Sequence, residues 1–318
     1  MNKEFNLGID IGGTKCAVVL GRTQNDISVD SIVADKISFP TNQPRGWRKV
    51  VDEMLISARK LIKRNSNPVI KAVGISCGGP LDSKKGIICC PPNLPDWDNV
   101  PICRIFEEEF HCPVILQNDA NACAAAEWRY GAGKGLENMI FLTFGTGMGA
   151  GLILGGRLYS GTTDLAGEVG HIRLENEGPA GYGKEGSFEG FCSGGGIARL
   201  AQYILEREKW DTPFNLDKNN ITAKALAQAA FDGDEFAVHV YDICAQKLGK
   251  ALSLLIDILN PQAIVIGSIY QRSRMLFEET IKSVIKQEAL SGAAECCKIL
   301  PAALGDSIGD LAALSLCL

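Results

Sequence analysis

The chain has 318 residues, of which 46% are apolar and 22% charged, and 32 Lys and Arg against 37 Asp and Glu give a net charge of −5. This composition excludes a disordered or fibrous protein, and the length allows two domains of about 150 residues each. Because the chain is acidic and carries no basic stripe, nucleic acid and anionic membranes are not expected as partners.

The first predicted element is a β-hairpin, FNLGID-IGGTK-CAVVLG, in which two apolar strands flank a glycine turn. Apolar residues at helical spacing between Trp47 and Ile62 then predict a helix. Next, IKAVGISCGGP predicts a strand ending in a glycine turn, and PVILQNDANACAAAEW predicts a strand that runs into a helix.

The segment from Met139 to Gly156 carries no charge, but six of its 18 residues are glycine, so it predicts strand, turn and strand rather than a membrane span. It repeats the design of the first hairpin about 135 residues later, which indicates a duplicated domain.

In the remaining sequence we predict helices near 197–208, after Thr222, after Asp234, near Ser273 and from about Asp306, and strands at AIVIG and KILPAAL. This alternation predicts an α/β protein with mixed sheets flanked by helices, and an active site in the cleft between two domains.

Cysteine is abundant, with 12 residues, but no C-x-x-C spacing and no secretory leader is present. We therefore expect reduced thiols and a cytoplasmic protein.

The first glycine turn has the composition of a phosphate site. Gly12 and Gly13 allow close approach of the backbone to an anion, Thr14 and Lys15 can donate to phosphate oxygens, and Asp10 suits Mg²⁺ through water. The alternative is an ordinary tight turn in which Asp10 accepts a hydrogen bond from a neighbouring amide.

The second glycine turn, with Thr146 and Gly147, favours the phosphate interpretation, because two such tips can clamp a polyphosphate. The sequence lacks G-x-x-x-x-G-K-[ST], which excludes a P-loop enzyme. GTGMGAG does not fit G-x-G-x-x-G and precedes a strand, which disfavours a dinucleotide fold.

Asn118, Asp119 and Asn121 crowd the turn where the strand PVILQ meets a helix. One such residue suffices as a helix cap, and a carboxylate here can take the proton of a hydroxyl that attacks a γ-phosphoryl group.

Glu168 and His171 lie three residues apart around a glycine, and together they can bind adjacent hydroxyls of a sugar. Asn93 and Glu189 are further hydroxyl-binding candidates, although each of these four residues taken alone is also compatible with a purely structural or solvated role.

In this order, LGIDIGGTK, PPNLPDW, QNDANA, FGTGMGAG, GEVGH and SGGGIAR resemble the ROK family of bacterial sugar kinases and sugar-responsive repressors over nearly the whole chain. The resemblance implies two RNase H-like domains of the actin and hexokinase type. We expect them at residues 1–118 and 119–305, with a C-terminal helix, 306–318, packed on the first.

The resemblance also implies roles. Asp119 corresponds to the catalytic base that deprotonates the sugar 6-hydroxyl, and Asp10 lies near Mg²⁺. The family binds the sugar at the positions of Asn93, Asn118, Glu168, His171 and Glu189. It binds ATP at the positions of Gly12, Gly13, Thr14, Lys15, Thr146, Gly147 and Gly267.

The sequence departs from the family at its structural zinc loop, where three cysteines normally join the histidine. Here Gly181, Gly183 and Ser187 stand near the cysteine positions, and Cys192 alone is insufficient, so we expect no zinc. A second departure lies on the adenosine side, where Ser268 and Ile269 follow Gly267 and leave less room for a purine.

We therefore expect an ATP- and Mg²⁺-dependent kinase for the 6-hydroxyl of glucose or a related hexose, a homodimer without nucleic-acid or membrane partners. An N-acetylhexosamine kinase (for N-acetylglucosamine or N-acetylmannosamine) is an alternative, as is a catalytically weak sugar-binding regulator. The strand predicted from Phe5 leaves no room before it for a DNA-binding domain.

Overall fold

The computed structural model describes residues 4–23, 28–210 and 221–317. Within them the strands are β1 Glu4–Ile11, β2 Lys15–Arg22, β3 Val33–Pro40, β4 Val69–Cys77, β5 Leu81–Asp82, β6 Ile87–Ile88, β7 Val114–Asn118, β8 Met139–Phe144, β9 Met148–Leu154, β10 Arg157–Tyr159, β11 Ala180–Gly181, β12 Lys184–Glu185, β13 Ala263–Ile266 and β14 Lys298–Pro301. The α-helices are α1 Val29–Ile32, α2 Trp47–Arg64, α3 Ile102–Phe110, α4 Asp119–Tyr130, α5 Phe188–Phe191, α6 Gly194–Arg207, α7 Ala223–Phe231, α8 Glu235–Leu259, α9 Ile269–Ser273, α10 Glu278–Glu288, α11 Ser291–Cys296 and α12 Ile308–Ser315.

The described residues fall into two compact units. The first lies within Met1–Gly135, Leu158–Ala166 and Leu304–Leu318, and the second within Leu136–Arg157 and Gly167–Ala303. The predicted division at residue 118 differs from this one, because helix α4 groups with the first unit.

The first unit is built on a five-stranded sheet in the order β3-β2-β1-β4-β7. Strand β2 is antiparallel to β1 and β3, whereas β4 is parallel to β1 and to β7. The strands are apolar runs and bury side chains such as Leu7, Ile9 and Val18. Helix α2 has the predicted spacing and buries Val50 and Met54 with the sheet residues in one core.

The second unit repeats this design with the sheet order β10-β9-β8-β13-β14. Strand β9 is antiparallel to β8, and β13 is parallel to both β8 and β14. The uncharged segment from Met139 is thus a hairpin, as predicted, and the mixed sheets with flanking helices confirm the predicted fold class. Within the described ranges, no helix combines the length and apolarity needed to cross a bilayer.

Helix α12 packs on the first unit's β1, β4 and α4. The contact with β4 requires glycine, because a Cβ added to Gly74 would lie 1.9 Å from the Ala313 carbonyl oxygen. Glu127, near the end of α4, accepts a hydrogen bond from the Leu304 backbone N–H at 2.9 Å. These contacts explain why α4 and the C-terminal segment belong to one compact unit.

Helix caps were predicted with mixed success. Thr222 and Asp234 cap α7 and α8 as expected, since each side chain accepts a backbone N–H from the first turn. The helix expected near Ser273 begins later, at Glu278. Phe277 precedes it and is fully buried among aromatic rings, including Phe144, so tertiary packing sets this boundary.

Candidate active site

Asp10 and Asp119, two predicted site residues of the first unit, lie where parallel strands end. In the registers of β1, β4 and β7, Asp10 is opposite Ser76, and Ser76 is opposite Gln117. Asp119 follows two residues after Gln117 as the first residue of α4. The sheet therefore brings Asp10 and Asp119 to the same edge, although 109 positions separate them in the sequence.

Asp10 is a half-buried carboxylate in a site of mixed charge. Burial raises its pKa to about 6, and the negative charges of Asp119 and Asp310 add to this effect, while Lys36 and Lys15 oppose it. A carboxylate whose pKa is raised by burial and by a second carboxylate at the same strand edge is one that a divalent cation would stabilise in its charged form.

At the start of α4, the cap and the candidate base are different residues. The Asn118 side-chain oxygen accepts the Asn121 backbone N–H at 2.7 Å and so caps the helix. The Asp119 Oδ1 accepts a hydrogen bond from the Ala120 backbone N–H at 2.8 Å. The Asp119 side chain is reachable by solvent but crowded by protein atoms, and this desolvation raises its pKa.

The first glycine turn is supported from behind by a threonine. The turn is closed by the hydrogen bond from the Gly12 N–H to the Lys15 carbonyl, 3.1 Å. Thr41, which is buried, donates from Oγ1 to the Gly12 carbonyl at 2.6 Å and from its N–H to the Thr14 carbonyl at 2.9 Å. The Thr14 and Lys15 side chains are exposed, as phosphate contacts need to be. The sequence carried no signal for Thr41.

Asn93 lies directly beside this turn. A Cβ added to Gly13 would stand 2.8 Å from the Cβ and from the carbonyl oxygen of Asn93. The loop that carries Asn93 is anchored by the buried side chains of Leu94 and Trp97, which leaves Asn93 exposed. The structure therefore brings a predicted phosphate turn and a predicted sugar-binding residue together.

A polar network that sequence reasoning missed borders the first turn of α4. The buried Asn121 donates from Nδ2 to Gln117 Oε1 at 3.0 Å and to Ser160 Oγ at 3.4 Å. Ser160 in turn donates to Gln117 Oε1 at 3.2 Å. Ser160 is far from the other two residues in the sequence, so only the fold reveals the network.

In the second unit, the β8–β9 hairpin tip is held by Glu189. Its Oε2 accepts the Met148 backbone N–H at 3.0 Å, and a Cβ added to Gly147 would approach that oxygen to 2.9 Å. The tip is closed by the bond from the Gly145 N–H to the Gly147 carbonyl, 3.2 Å, and Thr146 is exposed. Glu189, expected as a sugar ligand, is therefore also part of the second glycine turn.

Glu168 and His171 flank a short 3-10 turn, Val169–His171, that packs on the same hairpin. A Cβ added to Gly170 would lie 2.3 Å from the Met148 carbonyl, so only glycine fits there. Both side chains are exposed. The His171 ring meets the Tyr182 ring edge-on, with centroids 5.3 Å apart, and this aromatic contact orients the imidazole.

Hydrogen bonds close the loop that departs from the family's zinc site. Strands β11 and β12 form a small hairpin. The fully buried Ser187 accepts the Gly181 N–H at 3.2 Å and the Gly190 N–H at 3.1 Å, which ties the hairpin to α5. Among the described residues, no group of three or more His, Cys, Asp or Glu side chains is arranged to hold a metal ion.

The adenosine-side segment lies beside the second glycine turn. The Gly267 N–H donates to the Leu142 carbonyl at 3.0 Å. Ser268 has φ +55° and ψ −109°, a conformation that favours glycine, and its Oγ is 3.6 Å from where a Cβ on Gly145 would stand. Ser268 also accepts a hydrogen bond from Arg272 at 3.2 Å.

Comparison with known proteins agrees with these observations. The model of the ROK family matches residues 6–318. The chain belongs to the ROK family.

Among curated ROK relatives, the glucokinase of Halalkalibacterium halodurans is 33% identical over 315 residues, which cover 97% of this chain and 93% of that protein. The ROK hexokinase structure from Thermus thermophilus is 30% identical, with a TM-score of 0.81 over 98% of this chain and 97% of that one. A ROK glucokinase from Streptomyces griseus in complex with glucose and AMPPNP is 28% identical, with a TM-score of 0.74 over 98% of each chain. These relatives support a sugar kinase.

Regulators of the ROK family are similar as well. A xylose repressor from Caldicellulosiruptor bescii is 27% identical over 91% of this chain and 72% of its own length. Membership of the family therefore does not distinguish a kinase from a regulator. The residues of the site have to make that distinction.

Proposed function

We propose that this ROK protein is an ATP- and Mg²⁺-dependent kinase that transfers the γ-phosphoryl group to the 6-hydroxyl of glucose or a related hexose. One observation carries the proposal. Asp119 stands at the start of α4 with a solvent-reachable carboxylate and a raised pKa, while the neighbouring Asn118 does the capping. A capping role therefore does not explain Asp119.

Asp119 is the proposed general base. A carboxylate whose pKa is raised binds a proton more readily, so it accepts the proton of the sugar hydroxyl as this oxygen attacks the γ-phosphorus. The hydrogen bond from the Ala120 N–H fixes one carboxylate oxygen and with it the direction of the other. Phosphoryl transfer needs little more from the protein than positioning and charge neutralisation.

Two glycine turns are the proposed phosphate contacts. Thr14 and Lys15 of the first unit and Thr146 of the second are exposed donors on rigid turns. Mg²⁺, which would neutralise phosphate charge, would be held by Asp10 through water, because the repulsion between Asp10 and Asp119 is relieved by a cation. Gly12, Gly13 and Gly147 allow the backbone approach, and Gly267 lies on the adenosine side.

The proposed sugar contacts are Asn93, Asn118, Glu168, His171 and Glu189. Of these, Glu189 uses Oε2 for the Met148 N–H, so its other oxygen is the one offered to a hydroxyl. Asn118 uses its side-chain oxygen as the helix cap, which leaves its amide as the donor.

The test is ADP release by the purified protein with Mg²⁺-ATP across hexoses and N-acetylhexosamines, with Asp119→Asn as the matched inactive variant. Sugar-dependent turnover in the wild type, lost in the variant, is the expected result. Turnover on an N-acetylhexosamine alone would redirect the proposal to that substrate class. Equal turnover in both proteins would remove Asp119 from the mechanism.

A sugar-binding regulator without catalysis is the second candidate. The similarity to xylose repressors and the Ser268 side chain beside the second glycine turn favour it. Calorimetry distinguishes the two candidates, since a regulator binds sugar but releases no ADP. We further infer a cytoplasmic homodimer, and light scattering of the purified protein tests the oligomeric state.

A further inference from the structure

The loop 160–166 of the first unit leads directly into Glu168, yet none of its residues has a role in the proposed function. The loop is closed on itself by the hydrogen bond from the Ala166 N–H to the Ser160 carbonyl, 3.1 Å. Gly161 at φ +80° and Asp164 at φ +59° make its sharp bends. Such a conformation is strained for aspartate and needs compensating contacts.

Those contacts lie on the short hairpin formed by β5 and β6. Asp164 accepts two hydrogen bonds from Ser83, one from the backbone N–H to Oδ2 at 2.8 Å and one from Oγ to Oδ1 at 2.7 Å. Both residues are half-buried. A carboxylate that receives two short hydrogen bonds from one residue forms a directional contact stronger than a neutral pair.

The base of the loop is fixed as well. Ser160 belongs to the network with Gln117, which precedes Asn118, and Asn121, which lies two residues after Asp119. The loop is therefore held at its base by the catalytic turn and at its tip by Ser83. Between these two points, Thr162 and Thr163 are exposed, and the Thr162 carbonyl accepts a hydrogen bond from Lys84 Nζ at 3.4 Å.

The chain beyond the loop has little freedom. Gly167 is held on β9, where its carbonyl accepts the Ala150 N–H at 2.8 Å and an added Cβ would lie 2.1 Å from the Ala150 carbonyl. Only two residues separate Asp164 from Gly167, and Glu168 is next. Releasing Asp164 therefore frees residues 161–166, the segment that leads into the acceptor turn, while Gly167 stays on β9.

We propose that Asp164 and Ser83 form a latch that positions the Glu168–His171 turn and thereby sets the affinity for the acceptor sugar. They are positioning residues and take no part in phosphoryl transfer. This inference rests on the proposed function for its kinetic consequence, but the latch itself is a property of the loop and can be tested without turnover.

The kinetic test compares Asp164→Ala and Ser83→Ala with Asp82→Asn. Asp82 is the matched control, because it lies on the same hairpin and binds the Lys85 N–H rather than the loop. We expect each latch variant to raise the KM for the sugar at least about fivefold, while kcat and the KM for ATP stay within about twofold. Ser83→Thr keeps the hydroxyl and the N–H and should restore the wild-type KM.

We also expect the effects of the Asp164 and Ser83 variants on the KM for sugar not to be additive. Because Asp164→Ala removes both hydrogen bonds and Ser83→Ala removes only the one from the hydroxyl, the double variant should be no worse than Asp164→Ala alone. Effects that multiply, or a KM for ATP that rises in parallel with that for sugar, would overturn the proposal.

Hydrogen exchange separates this inference from the proposed function. In Asp164→Ala the amides of 160–168 should exchange about tenfold faster than in the wild type and in Asp82→Asn. Unchanged exchange rejects the latch even if the protein is a kinase. Faster exchange in a protein that turns over no sugar supports the latch and rejects the kinase instead.

Discussion

Gly13 and Asn93 pack so closely that the Cβ of any other residue at position 13 would lie 2.8 Å from the Asn93 carbonyl oxygen. The two residues belong to different predicted functions, phosphate binding and sugar binding. Because the Asn93 loop is anchored by buried Leu94 and Trp97, it cannot retreat without cost. In the proposed function, this contact couples the placement of one substrate to that of the other.

Gly13→Ala should therefore weaken the binding of both ATP and the sugar. The new methyl group forces the turn and the loop apart, an overpacking that typically costs about 1–3 kcal/mol. We expect the KM for ATP and the KM for sugar to rise in the same variant, as measured by steady-state kinetics. Gly292→Ala is the control, since no atom lies within 4 Å of a Cβ added there. A rise confined to one substrate would contradict the coupling.

Replacing Asp119 by asparagine should separate binding from chemistry. The amide preserves the shape of the side chain but cannot accept a proton, so kcat should fall by about 10²–10⁴ while the calorimetric Kd for the sugar stays within a few-fold. Asp232→Asn, on the second unit, controls for loss of one charge. A variant that loses sugar affinity but keeps kcat would make Asp119 a binding residue.

The raised pKa of Asp10 predicts a pH-dependent stability. Asp10 binds its proton more tightly in the folded protein, with a pKa of about 6, than in the unfolded chain, with the usual 3.8. Its ionisation therefore destabilises the fold. The cost is absent below about pH 4, grows as the pH rises to about 6 and is complete above that value.

Asp10→Asn, which removes that charge, should raise the free energy of unfolding at pH 7.5 by on the order of 2 kcal/mol and leave it nearly unchanged at pH 4. Urea unfolding at the two pH values measures the difference, with exposed Asp306→Asn as the control. The variant should also lose Mg²⁺-dependent turnover, so stability and activity would change in opposite directions. An equal gain at both pH values would show that the pKa is not the cause.

Ser268→Gly should stabilise the protein. At φ +55° and ψ −109° the serine Cβ is crowded, and glycine removes that strain. We expect the strain energy that is relieved to exceed the entropic cost of a more flexible unfolded chain by about 1 kcal/mol. The substitution also opens space beside Gly145, so the KM for ATP should fall. Ser268→Ala keeps the Cβ and loses the bond from Arg272, and it should be less stable than the wild type in the same thermal melt.

Local patterns account for what the sequence predicted well. The two hairpins, helix α2 and the caps of α7 and α8 each follow from periodicity or from one side chain acting on its own turn. The sequence likewise predicted that Asp10 and Asp119 each lie at the end of a strand, and the parallel registers of β1, β4 and β7 show that these ends share one edge.

Contacts between distant segments account for what the sequence did not reveal. Thr41 supports the turn at Gly12 across 29 positions, and Ser83 binds Asp164 across 81. Neither residue has an unusual sequence context. The same holds for Tyr182, whose contact with His171 exists only because the β11–β12 hairpin folds that way.

Ser187 lies in the loop that departs from the zinc-binding cysteine pattern of the family, and it is buried. Its fully buried hydroxyl oxygen accepts hydrogen bonds from the Gly181 and Gly190 N–H groups. Ser187→Ala therefore leaves these two donors without that partner. We expect a loss of about 1–2 kcal/mol in the free energy of unfolding, and none in the exposed control Ser283→Ala. A metal chelator should leave the Tm of the wild type unchanged, because hydrogen bonds close this loop. A Tm that falls with the chelator would show instead that the loop binds a metal ion despite its glycines.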